Sequence, residues 1–240
     1  MKNNLEMNKL SIILIAIFAS VSFTSCDDEV DAPNVLEIYN GYYISGDATP
    51  FSGLETGGGM VAGNVVGQAT KFLDLSNGNI VITHENNSTA EQPNTTSFGL
   101  NSADELVIDG DVINFAETAG KYFFRIDTTA KSISHVAIES WGAIGSATPG
   151  GWGEDTNMTL ESSDNGEYIY TVTVDLIGGE WLKFRANDQW APQFGVVDGS
   201  LSLRLFDSES DPGSIQVPES GNYTIKLILG TKFDYELKKN

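Results

Sequence analysis

The sequence predicts an all-β protein made of two tandem immunoglobulin-like β-sandwich modules. Three observations support this prediction. Helical periodicity is weak, whereas short alternating or β-branched runs are frequent. Each run is bounded by Gly, Asn, Asp or Pro, and most of the 25 glycines fall between runs, where turns are expected. The second half of the chain also repeats segments of the first.

The clearest strand candidates are four runs of alternating or β-branched residues. They occupy residues 79–83 (NIVIT), 121–126 (KYFFRI), 168–174 (YIYTVTV) and 222–229 (NYTIKLIL). Residues of these types fit a pleated surface that is buried on at least one face. Each run therefore predicts one strand.

The internal repeat divides the chain. YYISGDATP at 42–50 matches WGAIGSATP at 141–149. VINFAETAGKYFFRI at 112–126 likewise matches SIQVPESGNYTIKLI at 214–228. The repeats predict modules at 39–135 and 136–240, each of a length typical of immunoglobulin-like sandwiches.

The first 25 residues have the pattern of a secretory signal peptide. Lys2 and Lys9 precede an apolar run at 10–23, and small residues follow it. That run is shorter than the roughly 20 residues that a membrane-spanning helix needs. We therefore expect residues 1–25 to be removed.

Cys26 is the only cysteine in the chain, so it has no partner for an internal disulfide. One interpretation is that Cys26 is an incidental small residue near a cleavage site. In the other, the segment resembles the lipobox of bacterial lipoproteins, although Phe23 stands where Leu is usual. The acidic residues 27–29 resemble the signal that directs Bacteroidetes lipoproteins to the cell surface. This resemblance predicts a lipidated Cys26, an acidic linker at 26–38 and an outer-membrane location.

Charge and composition narrow the function. The formal net charge is -20, from 33 acidic and 13 basic residues, which argues against nucleic acid and anionic membrane surfaces as ligands. The two histidines, His84 and His135, are far apart in sequence, and no second cysteine exists. We therefore predict no metal site, no cofactor and no Ser/His/Asp catalytic arrangement.

The scarce positive charges concentrate on one face of a strand within LKFRANDQW. Alternation places Leu182, Phe184 and Ala186 on one side, and Lys183, Arg185 and Asn187 on the other. An Asn-Asp pair then leads to Trp190, while Trp152 lies in a Gly-rich loop.

The second module carries a combination of motifs, GSATPGGW at 145–152, YTVTVDL, LKFRANDQW and VPESGNYTIKL. Together they resemble the carbohydrate-binding modules of SusE/SusF-type outer-membrane glycan-binding lipoproteins. That resemblance implies a starch-binding-type sandwich and noncatalytic binding of α-glucans, beside an enzyme and a glycan importer. The first module shares only the framework, so we predict that it is degenerate.

The physical chemistry of the residues fits such a site. A pyranose has an apolar C–H face that matches an indole and hydroxyls that accept from Lys, Arg or Asn donors. We predict that Trp152 and Trp190 form walls around one or two sugar units. Lys183, Arg185 and Asn187 would line the floor.

Other interpretations of these residues stay open. Tryptophans in sandwiches are often core, as we expect for Trp141, and Trp181 near a strand start is the weaker platform candidate. Lys183 and Arg185 could instead pair with nearby carboxylates. The whole protein could be a structural or adhesive lipoprotein without a sugar site, or a glycosidase, since paired carboxylates are the requirement for that chemistry.

Overall fold

A computed structural model describes residues 40–86 and 94–240. The predicted signal peptide at 1–25, Cys26 and the linker at 26–38 lie outside these residues. The described part is all-β, with antiparallel strands and one short 3-10 turn at Thr56–Gly58, so the predicted fold class is confirmed. Within the described ranges, no helix is long and apolar enough to cross a bilayer.

Among the described residues, the first half contributes nine strands. In chain order they are β1 Gly41–Ser45, β2 Val61–Ala62, β3 Gln68–Leu75, β4 Gly78–Glu85, β5 Thr95–Leu100, β6 Leu106–Ile108, β7 Ile113–Phe115, β8 Gly120–Asp127 and β9 Ser132–Ile138. One sheet has the order β1-β4-β5-β6, with β7 also pairing with β4. The other has the order β2-β3-β8-β9.

The second half contributes nine more. They are β10 Trp141–Ile144, β11 Thr156–Asp164, β12 Glu167–Leu176, β13 Trp181–Ala186, β14 Gln193–Val197, β15 Ser200–Arg204, β16 Ile215–Gln216, β17 Gly221–Leu229 and β18 Phe233–Lys239. They join in the order β15-β14-β13-β10-β11-β12-β17-β18, with β16 pairing with β13. The four strand candidates at 79–83, 121–126, 168–174 and 222–229 lie within β4, β8, β12 and β17.

The two halves have the same strand order. The arrangement β1-β4-β5-β6 with β7 on β4 recurs as β10-β13-β14-β15 with β16 on β13, and β2-β3-β8-β9 recurs as β11-β12-β17-β18. The second half differs because β10 also pairs with β11, which joins its two sheets. Residues 156–158 of β11 pair with β10, and residues 159–164 pair with β12, with a register shift between Leu160 and Ser162.

The sheet of β3 and β8 is buried on both faces. Leu73 and Phe124 pack into the core of the first half. Their neighbours Phe72 and Phe123 point the other way, into the core that contains Trp141. Burial on both faces explains why 121–126 reads as a nearly continuous apolar run rather than an alternating one.

The halves therefore share a core, and the described residues 40–86 and 94–240 belong to one compact unit. Polar contacts add to the shared core: Arg125 pairs with Glu209, and Asn64 donates to the Ser202 hydroxyl at 2.8 Å. The boundary predicted between residues 135 and 136 falls inside β9, and the strands of the second half begin at Trp141. The division into modules 39–135 and 136–240 stays a prediction.

Candidate functional site

Strand β13 supplies the floor of the candidate site. Leu182, Phe184 and Ala186 are fully buried in the core, as alternation predicts. On the opposite face, Lys183 and Arg185 are also nearly buried, only 5% and 8% exposed. Charged side chains are rarely buried unless they are paired, so their partners decide what this face can do.

Arg185 is paired with Asp155. Its Nε lies 2.7 Å from Oδ1 and 2.9 Å from Oδ2 of Asp155, whose side chain is 3% exposed. Gly142, which pairs with Arg185 on the neighbouring strand β10, makes room for this contact. A Cβ at Gly142 would lie 2.7 Å from the Asp155 Cβ.

The electrostatics around Asp155 oppose one another. Burial raises the pKa of Asp155 above its ordinary value, and the nearby Asp188 carboxyl adds to that increase. The Arg185 guanidinium acts in the opposite direction, because it favours the ionised carboxylate. Asp155, Asp188 and Arg185 thus form one cluster of interacting charged groups.

Lys183 is paired with Asp211. Its Nζ lies 2.7 Å from the Asp211 Oδ1, which also accepts a hydrogen bond from the Gln193 amide at 2.8 Å. Asp211 remains largely exposed while Lys183 does not. Both basic residues of the strand are therefore occupied by carboxylates, the alternative that the sequence left open.

The Gly-rich loop that presents Trp152 is closed by its own backbone. The Gly145 N–H donates to the Gly151 carbonyl at 2.9 Å, and the Thr148 hydroxyl donates to the Gly145 carbonyl at 2.9 Å. Gly151 has φ +58°, a conformation that favours glycine. Trp152 follows directly on this hydrogen-bonded turn.

A second tight turn presents Trp190. Asn187 and Asp188 both have left-handed backbone, with φ values of 55° and 54°, a conformation that Asn and Asp tolerate better than most residues. The Gln189 N–H donates to the Ala186 carbonyl at 2.9 Å, which continues the turn. The Asn-Asp pair seen in the sequence thus reverses the chain and directs Trp190 back over the strand.

The two loops bring Trp152 and Trp190 together. Their ring centroids are 6.2 Å apart and their planes are inclined by 39°. Both side chains are exposed, at 42% and 43%. Beneath Trp190, the Arg185 guanidinium carbon lies 4.8 Å from the ring centroid, within the range of a cation–π contact.

This spacing changes the predicted geometry of the two tryptophans. A sugar ring between two indoles needs a van der Waals contact of about 3.5–4 Å on each side. A centroid separation of 6.2 Å is too short for that arrangement. Trp152 and Trp190 are therefore adjoining facets of one surface, not walls with a sugar between them. We call this surface the tryptophan pair.

Asn187 is not directed to the tryptophan pair. Its side-chain oxygen accepts from the backbone N–H groups of Glu139 and Ser140, at 2.8 and 3.3 Å. Its side-chain nitrogen donates to the Ala137 carbonyl at 2.9 Å. The Asn187 amide thus ties the β13–β14 turn to the segment between the two halves. Contact of Lys183 and Asn187 with a sugar stays a prediction.

Within residues 40–86 and 94–135, the turn of the first half that corresponds to 145–151 presents no exposed aromatic side chain. The turn at 46–51 repeats the 145–151 turn, since the Gly46 N–H donates to the Phe51 carbonyl at 3.0 Å. Phe51, which the sequence places near the position of Trp152, is only 3% exposed and packs in the core. Trp141 is core as predicted, at 1% exposure.

A cavity of about 220 Å³ lies elsewhere, between the halves, with Phe51, Asp74 and Tyr168 among its lining residues. Both aromatic side chains are buried, and the Tyr168 hydroxyl donates to an Asp74 carboxylate oxygen at 2.9 Å. It therefore offers no exposed ring face comparable to the tryptophan pair. Among residues 40–86 and 94–240, no three His, Cys, Asp or Glu side chains are grouped to hold a metal ion.

Comparisons with known proteins are distant. No family model matches the sequence. A search of curated proteins finds no match. Among solved structures, the chain is similar to SusF from Bacteroides thetaiotaomicron, with 18% identity and a TM-score of 0.33. The match covers 87% of this chain and 50% of SusF. So weak a likeness carries no argument about the site.

The residues missed at the sequence level are the partners of the cations. Asp155 and Asp211 lie 30 and 28 residues from Arg185 and Lys183. Gly142 was a usable signal for Asp155, since a glycine in a strand interior often marks a close approach by another group. Nothing local indicates the Asp211 contact.

Proposed function

We propose that the protein binds glycans noncatalytically at the tryptophan pair, and that its preferred ligand is a neutral α-glucan. It would hold the polysaccharide at the cell surface for a nearby enzyme and importer. The main observation behind this proposal is that two half-exposed indoles from separate loops lie next to each other and form one surface.

The energetics of exposure favour a binding role. Burying large aromatic side chains stabilises a fold, so indoles left half exposed on adjoining loops lose part of that contribution. Each indole offers a flat apolar face that matches the C–H face of a pyranose. An inclination of 39° between the planes suits a curved chain, in which consecutive sugar rings are also inclined.

The charges around the pair favour a neutral ligand. Arg185 is held by Asp155, Lys183 by Asp211, and Arg204 by Asp207. An anionic sugar would meet carboxylates around the pair and would have to displace one of them to reach a cation. A neutral sugar has only hydroxyl groups to satisfy, and it can donate to these carboxylates.

Arg185 acts mainly as a support in this proposal. Its guanidinium is nearly buried and lies over the Trp190 ring, so it fixes the angle of the indole before any ligand arrives. Such preorganisation reduces the entropy lost on binding. A direct hydrogen bond from Arg185, Lys183 or Asn187 to a sugar is the finer part of the proposal.

We further propose that the protein reaches its ligand as a lipoprotein, with residues 1–25 removed and Cys26 lipidated. An acidic linker at 26–38 would then separate the glycan-binding region from the outer membrane. Cys26→Ala is expected to leave the protein unprocessed or released from the membrane fraction. Surface display of the variant at wild-type levels would contradict this part.

Native gel electrophoresis in the presence of amylopectin, laminarin, xylan or pectin tests the proposed function. We expect amylopectin to retard the wild-type protein and pectin to leave its mobility unchanged. The Trp152→Ala/Trp190→Ala double variant should run as if no glycan were present. Leu160→Ala is the matched control, because it removes a similarly exposed apolar side chain from strand β11.

The proposal fails if the double variant is retarded as strongly as the wild-type protein, or if none of the four glycans retards either protein. A reducing-sugar assay on the same glycans separates binding from hydrolysis. Release of reducing ends by the wild-type protein would contradict the noncatalytic assignment.

A further inference from the structure

We propose that Trp181 forms an additional subsite that contacts the longer glycans bound at the tryptophan pair. This inference rests on the proposed function. It assigns a role to a third exposed tryptophan, which is 43% exposed, as much as Trp190.

Trp181 lies on the same face of β13 as Arg185, which supports Trp190 in the tryptophan pair. Residues 181, 183 and 185 alternate with Leu182 and Phe184, which point into the core. At roughly 3.3 Å per residue, Trp181 and Arg185 are about 13 Å apart along the strand. An oligosaccharide running along this face from the pair therefore meets Trp181 after a few sugar units.

The loop that carries Trp152 begins beside Trp181. The Trp181 carbonyl accepts from the Ala147 N–H at 3.0 Å, and the Trp181 N–H donates to the Ser146 hydroxyl at 3.2 Å. The same loop closes between Gly145 and Gly151, one residue before Trp152. The start of the loop that carries Trp152 is therefore anchored to the backbone of Trp181.

The surface between Trp181 and the pair is polar and partly open. Asp211 lies over Lys183, midway along the strand, and its side chain is 61% exposed. A carboxylate in that position can accept hydrogen bonds from sugar hydroxyls. Along this face of β13, an exposed hydrogen-bond acceptor therefore lies between Arg185 and Trp181, an arrangement that suits an extended neutral glycan.

The framework of the fold does not require a tryptophan at this position. In the first half, the turn that matches 145–148 donates from the Ala48 N–H to the carbonyl of Asn79 at 3.1 Å. Asn79 thus makes the same backbone contact that Trp181 makes in the second half. Since the turn forms with an asparagine there, the indole of Trp181 is available for another role.

Affinity as a function of glycan length tests this subsite. Maltose is short enough to occupy the tryptophan pair alone, whereas maltoheptaose is long enough to reach Trp181. Trp181→Ala is expected to leave maltose affinity within two-fold of wild type and to weaken maltoheptaose by about five-fold or more, the loss of one stacking contact. Trp181→Phe should retain most of the maltoheptaose affinity, and Leu160→Ala all of it.

The outcomes separate the subsite from the proposed function. Wild-type affinity for maltoheptaose in Trp181→Ala overturns the subsite and leaves the tryptophan pair intact. Equal weakening for maltose and maltoheptaose also overturns it, because the effect would then not depend on reach. If the wild-type protein binds neither maltose nor maltoheptaose, the α-glucan assignment itself is wrong, and the subsite is withdrawn with it. Thermal melting of each variant identifies any loss that comes from unfolding.

Discussion

Replacing Asp155 with alanine removes the partner of Arg185 and so tests the base of the site. Both side chains are nearly buried, and two contacts under 3 Å join them. In the variant, Arg185 would keep its contact with the Trp190 ring but lose its buried counter-charge. We expect both stability and glycan affinity to fall.

The magnitude follows from burial. Removing one partner of a buried ion pair costs about 3–5 kcal/mol, because the remaining charge is left uncompensated. The neighbouring Asp188 carboxyl, which interacts with Asp155, can replace part of the lost charge. We therefore expect about 3 kcal/mol, near the lower limit of that range. For a unit of this size, each kcal/mol lowers the melting temperature by about 2–4 °C.

Thermal and urea unfolding measure this loss, with Glu219→Ala as the matched control. Glu219 pairs with Lys239 at 3.1 Å, but their side chains are 68% and 39% exposed. Exposed pairs contribute about 0–1 kcal/mol, so the control should melt within a few degrees of wild type. If Asp155→Ala melts with the control, Arg185 does not depend on Asp155, and the supporting role that we give to this pair is wrong.

Three further predictions concern single residues. Burial lowers the pKa of Lys71 to about 8, so the unfolded chain binds more protons between pH 8 and its ordinary pKa of 10.5. The unfolding free energy of Lys71→Met should exceed that of the wild-type protein, and this excess should be largest below pH 8. As the pH rises from 8 to 10.5, this excess should shrink by about 3 kcal/mol. If urea unfolding shows an excess that does not change with pH, Lys71 is not a buried charged group. Trp141→Ala should lower the free energy of unfolding by about 3–5 kcal/mol, because the indole lies in the core. A decrease below about 1 kcal/mol in thermal unfolding would show that Trp141 is not a core residue. Asn187→Ala should destabilise by about 2 kcal/mol through lost hydrogen bonds and a strained left-handed backbone. In titration calorimetry, the glycan affinity of Asn187→Ala should stay within two-fold of the wild-type value. A ten-fold loss would show that Asn187 contacts the glycan.

Local pattern predicted much of the fold. Alternation identified β12 and β17, and the matching segments at 42–50 and 141–149 correspond to turns with the same backbone hydrogen bonds. These features are local, so a short stretch of sequence determines them. The exposed positions of Trp152 and Trp190 were also predictable, since Gly, Asn, Asp and Pro neighbours favour loops.

The remainder depends on contacts between distant residues. Lys183 and Arg185 lie on the outer face that alternation assigns to them, but carboxylates from other loops cover them. The double burial of β3 and β8 likewise depends on how the two halves pack. Asn187 follows the alternation of β13 in the sequence, yet its positive φ turns the chain and moves its amide to another segment.

Titration calorimetry of the wild-type protein and Trp190→Ala with maltoheptaose, beside their melting curves, tests the tryptophan pair most directly. We predict a wild-type dissociation constant between micromolar and millimolar, about ten-fold or more weaker in Trp190→Ala. The melting temperature should change by no more than a few degrees, since the indole is 43% exposed. Unchanged affinity in Trp190→Ala, or a melting temperature lowered as far as that of Trp141→Ala, would contradict the assignment of this surface as the glycan site.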